Sequence, residues 1–347
     1  MRPGVFEGRR LLIVGNPDPV HVGAHLNRAA LRLGLDVRLA DTREAFKGGP
    51  WRTRFDWWLR GRRPSSLGEF SQQVVHHCRE YRPVWLLSVG LAPIESEALG
   101  AIGNVGVKRL NYLTDDPWNP ALRAPWFAKA LPLYDHIFSP RRANLEELQR
   151  VSRGSVSHLP FAYSPDIHFP ETVGGEESES FDVLFAGGAD RDRIPYIVAL
   201  IEGGFKVGLF GGYWDRYSKT RMHTRGFADA GALRRAIASS KVALCLVRRA
   251  NRDGTSMRSF EIAAIGACML VEDTPEHRDL FGTDGKAVRY FRNSEEMRQR
   301  LRCLMGDHRE RQRLAEAAHG VITSGKHTYA DRLTAMLAST RESDPLR

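Results

Sequence analysis

Four short segments of the sequence place charged or imidazole side chains beside glycine or proline, close behind an apolar run. In the first, FAGGADRDR, Gly187 and Gly188 form a turn at which a phosphate can approach the backbone and the free N–H groups of the next helix. Arg191 and Arg193 can add charge-assisted hydrogen bonds to that phosphate, although such turns are also common without a ligand. The Asp-x-Asp spacing at 190–192 suits a metal ion, but the flanking arginines oppose a cation, so we expect no bound metal.

The second segment, NRDGTSMRSFEI, combines two acids with the start of a predicted helix. Asp253 lies in the turn before the helix and Glu261 stands within it, while Thr255 or Ser256 can cap its first turn. Carboxylates at these two places can accept hydrogen bonds from sugar hydroxyls, and the helix N–H groups can bind a phosphate. The alternative is an ordinary capped helix in which Glu261 pairs with Arg258. The spacing alone does not choose between the two.

The third segment, TDDPWNP, follows the apolar run KRLNYL, so its acids come at the end of a predicted strand. Trp118 offers a flat face on which a sugar ring can lie. A turn needs one aspartate for its backbone hydrogen bonds, but two aspartates beside a tryptophan exceed that need. We therefore expect Asp115 or Asp116 to act in catalysis.

The fourth segment, NPDPVHVGAHL, follows the first predicted strand. His21 and His25 lie one helical turn apart at the start of the first predicted helix. A neutral imidazole at this point can accept a proton from a reacting hydroxyl, which is general-base catalysis. We prefer His21 for this role, and the alternative is a histidine that faces solvent near a helix start.

The segment 50–64, PWRTRFDWWLRGRRP, places aromatic side chains on one helical face and five arginines around it. This pattern suits a membrane interface or an acidic acceptor, and a helix packed on the core is the other explanation. Arginines and aromatic rings also suit nucleic acid. No DNA-binding or RNA-binding module pattern accompanies them, so we expect no nucleic-acid partner.

Short apolar runs alternate with amphipathic segments along most of the chain, which predicts parallel sheets covered by helices on both faces. In the first half the predicted strands are 10–15, 36–40, 84–89, 108–113 and 134–138. The clearest helix is 66–81, where Ser66 and Glu69 have the spacing of a capping box. In the second half the predicted strands begin at 181 and continue at 206–212, 241–247, 267–273 and 286–291, with helices at 192–202, 229–240, 256–266 and 294–305.

The run SPDIHFPETVGGEESES, residues 164–180, interrupts this alternation with proline, glycine and a series of acids, which is typical of a linker. We therefore predict a first domain at 1–163, a second at 181–325 and a helical tail at 326–347. In open α/β sheets, ligands bind at the carboxyl ends of the strands. With two such domains, we expect the site in the cleft between them.

The composition limits which partners and which cellular location we expect for this protein. The 347 residues carry 51 Lys and Arg against 41 Asp and Glu, a formal net charge of +10 that favours an anionic partner. Four cysteines, at 78, 245, 268 and 303, show no C-x-x-C spacing, so we expect reduced, mostly buried thiols. The sequence shows no signal peptide, and its longest apolar stretch, VWLLSVGLAPI, is about half the length needed to span a bilayer. We expect a cytoplasmic protein that makes at most a peripheral contact at the inner face of the membrane.

Several longer stretches resemble one protein family. The run SMRSFEIAAIGACMLVEDTPEHRDLFG, followed by AVRYF and HTYADRL, resembles the C-terminal domain of the CgeB-like glycosyltransferases, which are similar to a spore maturation protein. LNYLTDDPWNP, YDHIFSPRRANLEEL and HLPFAYSPDIHFP are similar to the partner domain of the same family, so the resemblance covers most of residues 80–335. It implies the GT-B fold, with two facing Rossmann-like domains that are followed here by the helical tail. It also implies a nucleotide-diphosphate sugar as donor substrate.

The resemblance implies roles for several of these residues. Related transferases carry an E-x7-E motif whose first acid touches the donor sugar and whose second binds the ribose hydroxyls, and Asp253 and Glu261 stand at these positions. The loop after the first strand of the C-terminal domain holds the pyrophosphate, which matches Gly187 and Gly188. The segment RGFADA resembles the place where such enzymes hold the base, with Phe227 as the stacking ring.

We therefore expect transfer of a glycosyl group from a nucleotide-sugar to an unidentified surface glycan, lipid or protein, without a metal or other cofactor. Arg258 would stabilise the diphosphate leaving group, and His277 would lie near the donor sugar. His21 is similar, in position alone, to the general base of some inverting members. The alternatives are a nucleotide-sugar epimerase or hydrolase of the same fold, and an inactive nucleotide-sugar-binding protein in polysaccharide assembly. A dinucleotide oxidoreductase is not expected, because no G-x-G-x-x-G follows either domain's first strand.

Overall fold

The computed structural model describes residues 6–47, 61–172 and 180–340, so the predicted membrane contact at 50–64 lies outside the described residues except for 61–64. The described chain forms two compact units. The first takes in the residues up to Pro160, Ala250–Arg252 and the residues from Tyr329 onward, and the second runs from Phe161 to Arg249 and from Asp253 to Thr328.

The first unit is built on a six-stranded parallel sheet with the strand order β2-β1-β3-β4-β5-β6. Its strands are β1 (Arg10–Gly15), β2 (Asp36–Asp41), β3 (Trp85–Val89), β4 (Lys108–Tyr112), β5 (His136–Ser139) and β6 (Ser155–His158). The inner strands β1, β3 and β5 are almost wholly buried, as expected for apolar strands covered on both faces. The order reverses between β1 and β3, so their carboxyl ends are the expected place for a ligand.

Helices follow these strands in the chain: α1 (Val22–Arg32), α2 (Leu67–Tyr81), α3 (Ser96–Asn104), α4 (Pro125–Ala130) and α5 (Leu145–Val151). The apolar stripe of α2 packs into the hydrophobic core of the unit, as its spacing predicts. The predicted capping box at its start is wrong. The Ser66 hydroxyl donates to Lys47 O at 3.1 Å and makes no hydrogen bond to the helix, because the chain before α2 passes close to it.

The second unit is built on another six-stranded parallel sheet, with the order β12-β11-β10-β7-β8-β9. Its strands are β7 (Phe181–Ala186), β8 (Val207–Phe210), β9 (Thr224–Gly226), β10 (Ser240–Cys245), β11 (Met269–Glu272) and β12 (Arg289–Phe291). Counted from β7, this is the strand order of a dinucleotide-binding Rossmann sheet. The order reverses between β7 and β10, whose carboxyl ends therefore flank the expected ligand position.

The helices of the second unit are α6 (Ile194–Glu202), α7 (Ala230–Ala238), α8 (Met257–Ile265), α9 (Pro275–Phe281), α10 (Ser294–Gly306) and α11 (His308–Ser324). Several of them begin at a residue whose side chain caps the helix. The side chains that accept a first-turn N–H at these starts are Asp229, Thr274, Asn293 and Asp307. Gly266 ends α8 with a left-handed φ of 76°, a conformation that glycine adopts without strain.

The last described helix, α12 (Tyr329–Ala338), belongs to the first unit. The ring of Tyr329 stacks on that of His25 in α1 with centroids 4.9 Å apart. Trp85 Nε1 donates to Thr340 Oγ1 at 2.8 Å just beyond the helix. The predicted C-terminal helix is thus confirmed, and it packs on α1 instead of forming an independent tail.

The two parallel sheets are confirmed, but β6 and β9 escape the sequence prediction. Both are short edge strands, and they read Ser-Val-Ser-His and Thr-Arg-Gly. A strand at the edge of a sheet is partly solvated, so it lacks the continuous apolar run that marks the inner strands. The predicted linker is described as far as residue 172, and that part clusters with the second unit.

We expect Gly23→Ala to destabilise the first unit and Gly100→Ala to stabilise it, although both replace a helical glycine. A Cβ at Gly23 would lie 2.7 Å from Asn16 O, so α1 would have to move away from the end of β1. Such overpacking costs about 1–3 kcal/mol. A Cβ at Gly100 would meet no atom within 4 Å, so alanine there gains about 0.4–1 kcal/mol by restricting the unfolded chain.

Urea denaturation followed by circular dichroism measures both free energies of unfolding. Helix propensity alone would raise the stability of both variants. Changes of the same sign in the two variants would therefore contradict the close packing of α1 on β1.

Candidate functional site

Two glycine pairs meet at the carboxyl ends of β7 and β8. Gly187 N donates to Phe210 O at 2.8 Å, and Ala189 N donates to Gly212 O at 3.0 Å. Gly211 has a φ of 127°, and a Cβ on it would lie 2.6 Å from Gly187 O. The two turns therefore pack backbone against backbone, which leaves the strand ends beside the switch point free of side chains, as a phosphate requires.

Arg193 holds this turn in place. Its guanidinium is buried and donates to Gly188 O at 3.3 Å and to Leu246 O at 3.4 Å, so it bridges the ends of β7 and β10. Its Nε lies 3.4 Å from Asp190 Oδ2. Burial lowers the pKa of Arg193, because the charged form loses water. The neighbouring Arg191 is exposed.

Asp190, the first aspartate of the Asp-x-Asp spacing, stabilises the turn that leads into α6. Asp190 Oδ1 accepts hydrogen bonds from Asp192 N at 3.0 Å and from Arg193 N at 2.9 Å. This is the geometry of an aspartate that closes a turn onto its own backbone. The Asp190 carboxylate therefore stabilises the turn before α6, and the Arg193 side chain contacts the same carboxylate.

Glu261 and Arg258 bring the second sequence motif to the glycine turn. Arg258 Nη1 pairs with Glu261 Oε2, and Arg258 Nε donates at 3.3 Å to Ala186 O, directly before Gly187. The ion pair between Arg258 and Glu261, which the sequence offered as the alternative to a ligand site, is thus present. Glu261 is only 1% exposed, and its Oε1 has no hydrogen-bond partner among the described residues. A buried carboxylate oxygen without a hydrogen-bond partner can accept a hydrogen bond from a ligand hydroxyl or from a water molecule.

A buried hydrogen-bonded chain supports the first turn of α8. Ser256 N donates to Ser259 Oγ at 3.0 Å, and Ser259 Oγ lies 2.8 Å from His277 Nε2. His277 Nδ1 lies 2.8 Å from Glu272 O. A carbonyl only accepts, so Nδ1 carries the proton and Nε2 accepts from the serine hydroxyl. His277 is fully buried, and burial lowers its pKa to about 4, so it is neutral at physiological pH.

Asp253 lies in the loop between β10 and α8, where the sequence places it, and it is half-buried. Its N–H donates to Arg248 O at 3.3 Å. The next carbonyl, that of Gly254, accepts from Thr274 Oγ1 at 2.6 Å, and Thr274 also caps α9. The loop that carries Asp253 is therefore tied to the start of α9.

Phe227 follows β9, and its ring is 87% exposed. Its Cζ lies 3.1 Å from the position that a Cβ of Gly212 would occupy, so the ring lies over the end of β8. An exposed aromatic ring beside a glycine turn offers a face for a planar base, and the stacking role that the family resemblance implies for Phe227 stays a prediction.

In the first unit, the two histidines of the fourth motif have different surroundings. His21 is exposed at the position before α1, and its N–H donates to Asp18 O at 2.9 Å. His25 is buried, and its Nδ1 accepts from Arg28 Nη2 at 2.8 Å. Of the two, His21 is the one whose ring reaches solvent, as a general base requires.

The adjacent aspartates of the third motif also separate. Asp115 is half-buried, and its Oδ2 lies 3.2 Å from the position that a Cβ of Gly90 would occupy. Gly90 has a φ of 62° and directly follows β3, so Asp115 lies at the strand end next to the switch point of this sheet. It is placed where a ligand of an open α/β sheet is expected.

Asp116 is buried in an ion pair with Arg252, with contacts of 2.6 Å and 3.1 Å. Glu147 contacts the same guanidinium at 2.6 Å, and the Asp116 carboxylate raises the pKa of Arg252. Nearby, Asn119 Nδ2 donates to Asn251 Oδ1 at 2.7 Å. These contacts tie Ala250–Arg252 to the first unit, so Asp116 has a structural partner that the sequence does not indicate.

Sequence reasoning also misses charged residues at the ends of β10 and β11. Glu272 accepts from Val247 N at 3.1 Å and pairs with Arg249 at 2.7 Å, and Arg249 also donates to the Tyr196 hydroxyl at 2.7 Å. The sequence signal is Glu272 itself, the first of the two acids that close the run ACMLVED. A second missed residue is His168, in the predicted linker, whose Nε2 lies 3.7 Å from Glu261 Oε1. No sequence pattern points to that contact.

Comparison with known proteins identifies a related family for part of the chain. Residues 195–338 match the model of a family described as glycosyl transferase-like. No curated protein matches the chain significantly by sequence. By structure, the chain is similar to sucrose-phosphate synthase from Thermosynechococcus elongatus, with a TM-score of 0.68 and 11% identity over 96% of this chain and 98% of that one.

Two further solved structures are similar over nearly their whole length. HepE from Anabaena in complex with UDP-glucose gives a TM-score of 0.63 and 13% identity over 96% of this chain and 100% of that one. A protein from Listeria monocytogenes described as a UDP-N-acetylglucosamine 2-epimerase gives 0.56 and 14%, over 99% of each chain. At these identities the likeness shows the fold, and the predicted GT-B fold class is confirmed. Residues 195–338 are glycosyltransferase-like, while the CgeB-like family stays a prediction.

Among the described residues, no helix is both long enough and apolar enough to cross a membrane.

We expect His277 to make stability fall with acid. In the unfolded chain a histidine takes up its proton near pH 6.5, whereas the folded pKa is about 4. The unfolded state binds more protons between these values, so stability is lost as the pH falls through this window, by about 2 kcal/mol at pH 5. Urea denaturation at pH 7.5 and pH 5 should show a smaller loss in His277→Gln. The same loss in both proteins would mean that His277 does not stay neutral in the fold.

Proposed function

We propose that this protein transfers a glycosyl group from a nucleotide-diphosphate sugar to an acceptor, as a CgeB-like glycosyltransferase. The observation that carries the proposal is the Glu261 carboxylate. It is buried, its Oε1 lacks a hydrogen-bond partner among the described residues, and Arg258 ties it to the strand end before Gly187. Such an oxygen is costly to bury unless a ligand or water donates to it. The glycosyl transferase-like family of residues 195–338 supports the same conclusion.

The diphosphate of the donor would lie against the side-chain-free backbone at Gly187 and Gly188 and the N–H groups that begin α8. When the bond from the sugar breaks, negative charge grows on the departing diphosphate. Arg258 lies next to this turn, and the exposed Arg191 follows it, so both can supply positive charge. Arg193 acts on the turn itself through its bonds to backbone carbonyls.

The nucleoside would be held by two residues of the second unit. Glu261 Oε1 would accept a hydrogen bond from a ribose hydroxyl, and Phe227 would stack on the base with its exposed ring. The likeness to HepE in complex with UDP-glucose supports a nucleotide-sugar donor.

Asp253, in the loop before α8, would accept hydrogen bonds from the donor sugar. On the first unit we assign His21, exposed before α1, and Asp115, at the end of β4, to the acceptor. We assign Asp116 to the ion pair with Arg252 and His277 to the support of α8, because the described contacts already occupy their polar atoms.

The acceptor would be a surface glycan, a lipid or a protein, and we propose a cytoplasmic location with a peripheral contact to the inner face of the membrane. The basic and aromatic pattern of residues 50–64 and the net charge of +10 support this contact, since anionic lipids attract such segments.

An epimerase or hydrolase of the same fold is the second candidate, favoured by the likeness to the Listeria protein over 99% of each chain. It would convert the nucleotide-sugar without an acceptor. Chromatography of the products separates the candidates. An epimerised nucleotide-sugar, or a free sugar formed at the same rate with and without acceptor, would favour this second function. Tight donor binding with no product on any acceptor would favour an inactive binding protein.

We expect Glu261→Gln to weaken binding of the donor by roughly 5- to 150-fold, because it replaces the charged acceptor of the ribose hydroxyl by a neutral one, and a hydrogen bond to a charged group contributes about 1–3 kcal/mol. Isothermal titration with UDP-, ADP- and GDP-sugars measures the change. Glu310→Gln is the matched control, since Glu310 pairs with Arg289 at 2.8 Å at the amino end of β12, away from the strand ends that carry the site. Donor affinity unchanged in Glu261→Gln, or equally reduced in both variants, would count against the assigned role.

We also propose that transfer needs no metal ion or other cofactor, because arginines at the glycine turn can offset the charge of the diphosphate. Turnover should then stay within about twofold of its original value after treatment with EDTA, since no bound cation is removed. The measurement is the rate of nucleotide-diphosphate release with acceptor present. Activity that disappears with EDTA and returns with manganese would show that this part of the proposal is wrong.

A further inference from the structure

The first unit contains a cavity outside the residues that we assign to transfer. Its volume is about 270 Å³, and it is lined by residues from the start of α3 and from α4, together with Arg63. Because α3 follows β3 and α4 follows β4, the cavity lies on the side where these strands end. Asp115, which we assign to the acceptor, lies in the loop that follows β4. The cavity and Asp115 are therefore at the edge of the sheet where ligands of open α/β sheets bind.

Two cations and two acids line the cavity, and their charges balance. Arg63 Nη2 donates to Glu95 Oε1 at 2.6 Å. Glu97 Oε2 accepts from Ser96 Oγ at 2.9 Å, and hydrogen bonds from its own N–H and from this hydroxyl hold the pKa of Glu97 below its ordinary value, so it is ionised at neutral pH. Lys129 is exposed and forms no ion pair with any residue that the structure describes, so its ammonium group can donate to a ligand.

The walls of the cavity are fixed by contacts within the unit. Trp126 lines the cavity, its Nε1 donates to Arg62 O at 3.1 Å, and its ring packs partly against the hydrophobic core. At the start of α3, Glu95 N donates to Ser71 Oγ at 3.0 Å, which ties this wall to α2. An aromatic face and a carboxylate are thus positioned before a ligand arrives.

We infer that this cavity binds one uncharged sugar residue of the acceptor, so that the acceptor is a molecule that already carries a glycan. The inference rests on the proposed function, because it names the chemical class of the acceptor that the proposed transfer uses.

A sugar ring matches the groups that line the cavity. Each hydroxyl of the ring both donates and accepts, so it can use the two carboxylates as acceptors and the two cations as donors. The C–H face of the ring can lie on the Trp126 indole. The balanced charges favour neither an anion nor a cation. The volume is below the range of about 300–1,000 Å³ for sites of drug-sized ligands, so the cavity holds one ring and not a chain.

The test observes the Trp126 indole itself. Full-length protein labelled with 5-fluorotryptophan is titrated with the methyl glycosides of glucose, galactose, mannose and N-acetylglucosamine, and the fluorine NMR spectrum is recorded. Trp126→Phe identifies the resonance by its loss. A ligand of one ring binds such a site in the millimolar range, so the titration extends to about 50 mM. Glucuronate and glucosamine are the anionic and cationic comparisons.

At least one uncharged glycoside should shift the Trp126 resonance to saturation and bind more tightly than glucuronate and glucosamine. Lys129→Met should weaken this binding by at least about fivefold, because the ligand loses a charged hydrogen-bond donor. Lys108→Met is the matched control and should bind as the wild type does, since Lys108 is exposed at the start of β4, at the other end of the strands.

A charge variant tests the chemical class of the ligand. Glu97→Gln leaves the cavity with a net positive charge, so the affinity for glucuronate relative to the uncharged glycoside should rise by about two- to fivefold. An unchanged ratio would overturn the assignment of this cavity as the binding site. A Trp126 resonance that no uncharged glycoside shifts would overturn it as well, and so would tighter binding of glucuronate or glucosamine to the wild type, or an equal loss in Lys129→Met and Lys108→Met.

The inference and the proposed function fail in different ways. Glycosyl transfer by a protein whose Trp126 resonance no sugar shifts would leave the transferase standing without this sugar site. Saturable sugar binding in a protein that forms no transfer product on any acceptor would overturn the proposed function and the acceptor role of the cavity, while its sugar binding would stand.

Discussion

The candidate donor site depends on one electrostatic constraint, the burial of the Glu261 carboxylate beside the guanidinium of Arg258. Arg258 comes from one helical turn earlier and also donates to Ala186 O, so the ion pair sets the start of α8 against the end of β7. Such a pair adds little stability, because the desolvation of both charges offsets their attraction. Its contribution is geometric. It holds a carboxylate and a guanidinium beside Gly187, where the strand order reverses and the sheet leaves room for a ligand.

A buried polar network behind the ion pair keeps this geometry. His277 joins the carbonyl at the end of β11 to Ser259 in the first turn of α8, and Thr274 joins the start of α9 to the loop that carries Asp253. Each member has a hydrogen-bond partner, which is the condition under which buried polar groups rigidify a structure. The helix that presents Glu261 is therefore fixed at its amino end by side chains that do not reach the ligand themselves.

Within the first unit, neighbouring residues with the same chemistry have different uses. Asp115 lies at a strand end beside Gly90, while Asp116 is buried against Arg252. His21 reaches solvent, while His25, one helical turn later, is covered by α12. The spacing identified each pair as a candidate, because acids and imidazoles at strand ends face the ligand side of a sheet. It could not separate the members, because burial is set by elements far away in the chain.

The sequence by itself determined the two parallel sheets, because an inner strand must be a continuous apolar run, and it also placed Gly187, Glu261 and Phe227 directly after or between such runs. The edge strands β6 and β9 carry no such run and were missed. Only the tertiary structure decided which residues distant in the sequence contact each other, such as Arg252 and Asp116 or His168 and Glu261. The physical reason is that periodicity reports which face of an element is buried, whereas the identity of a contact depends on how separate segments come together in space.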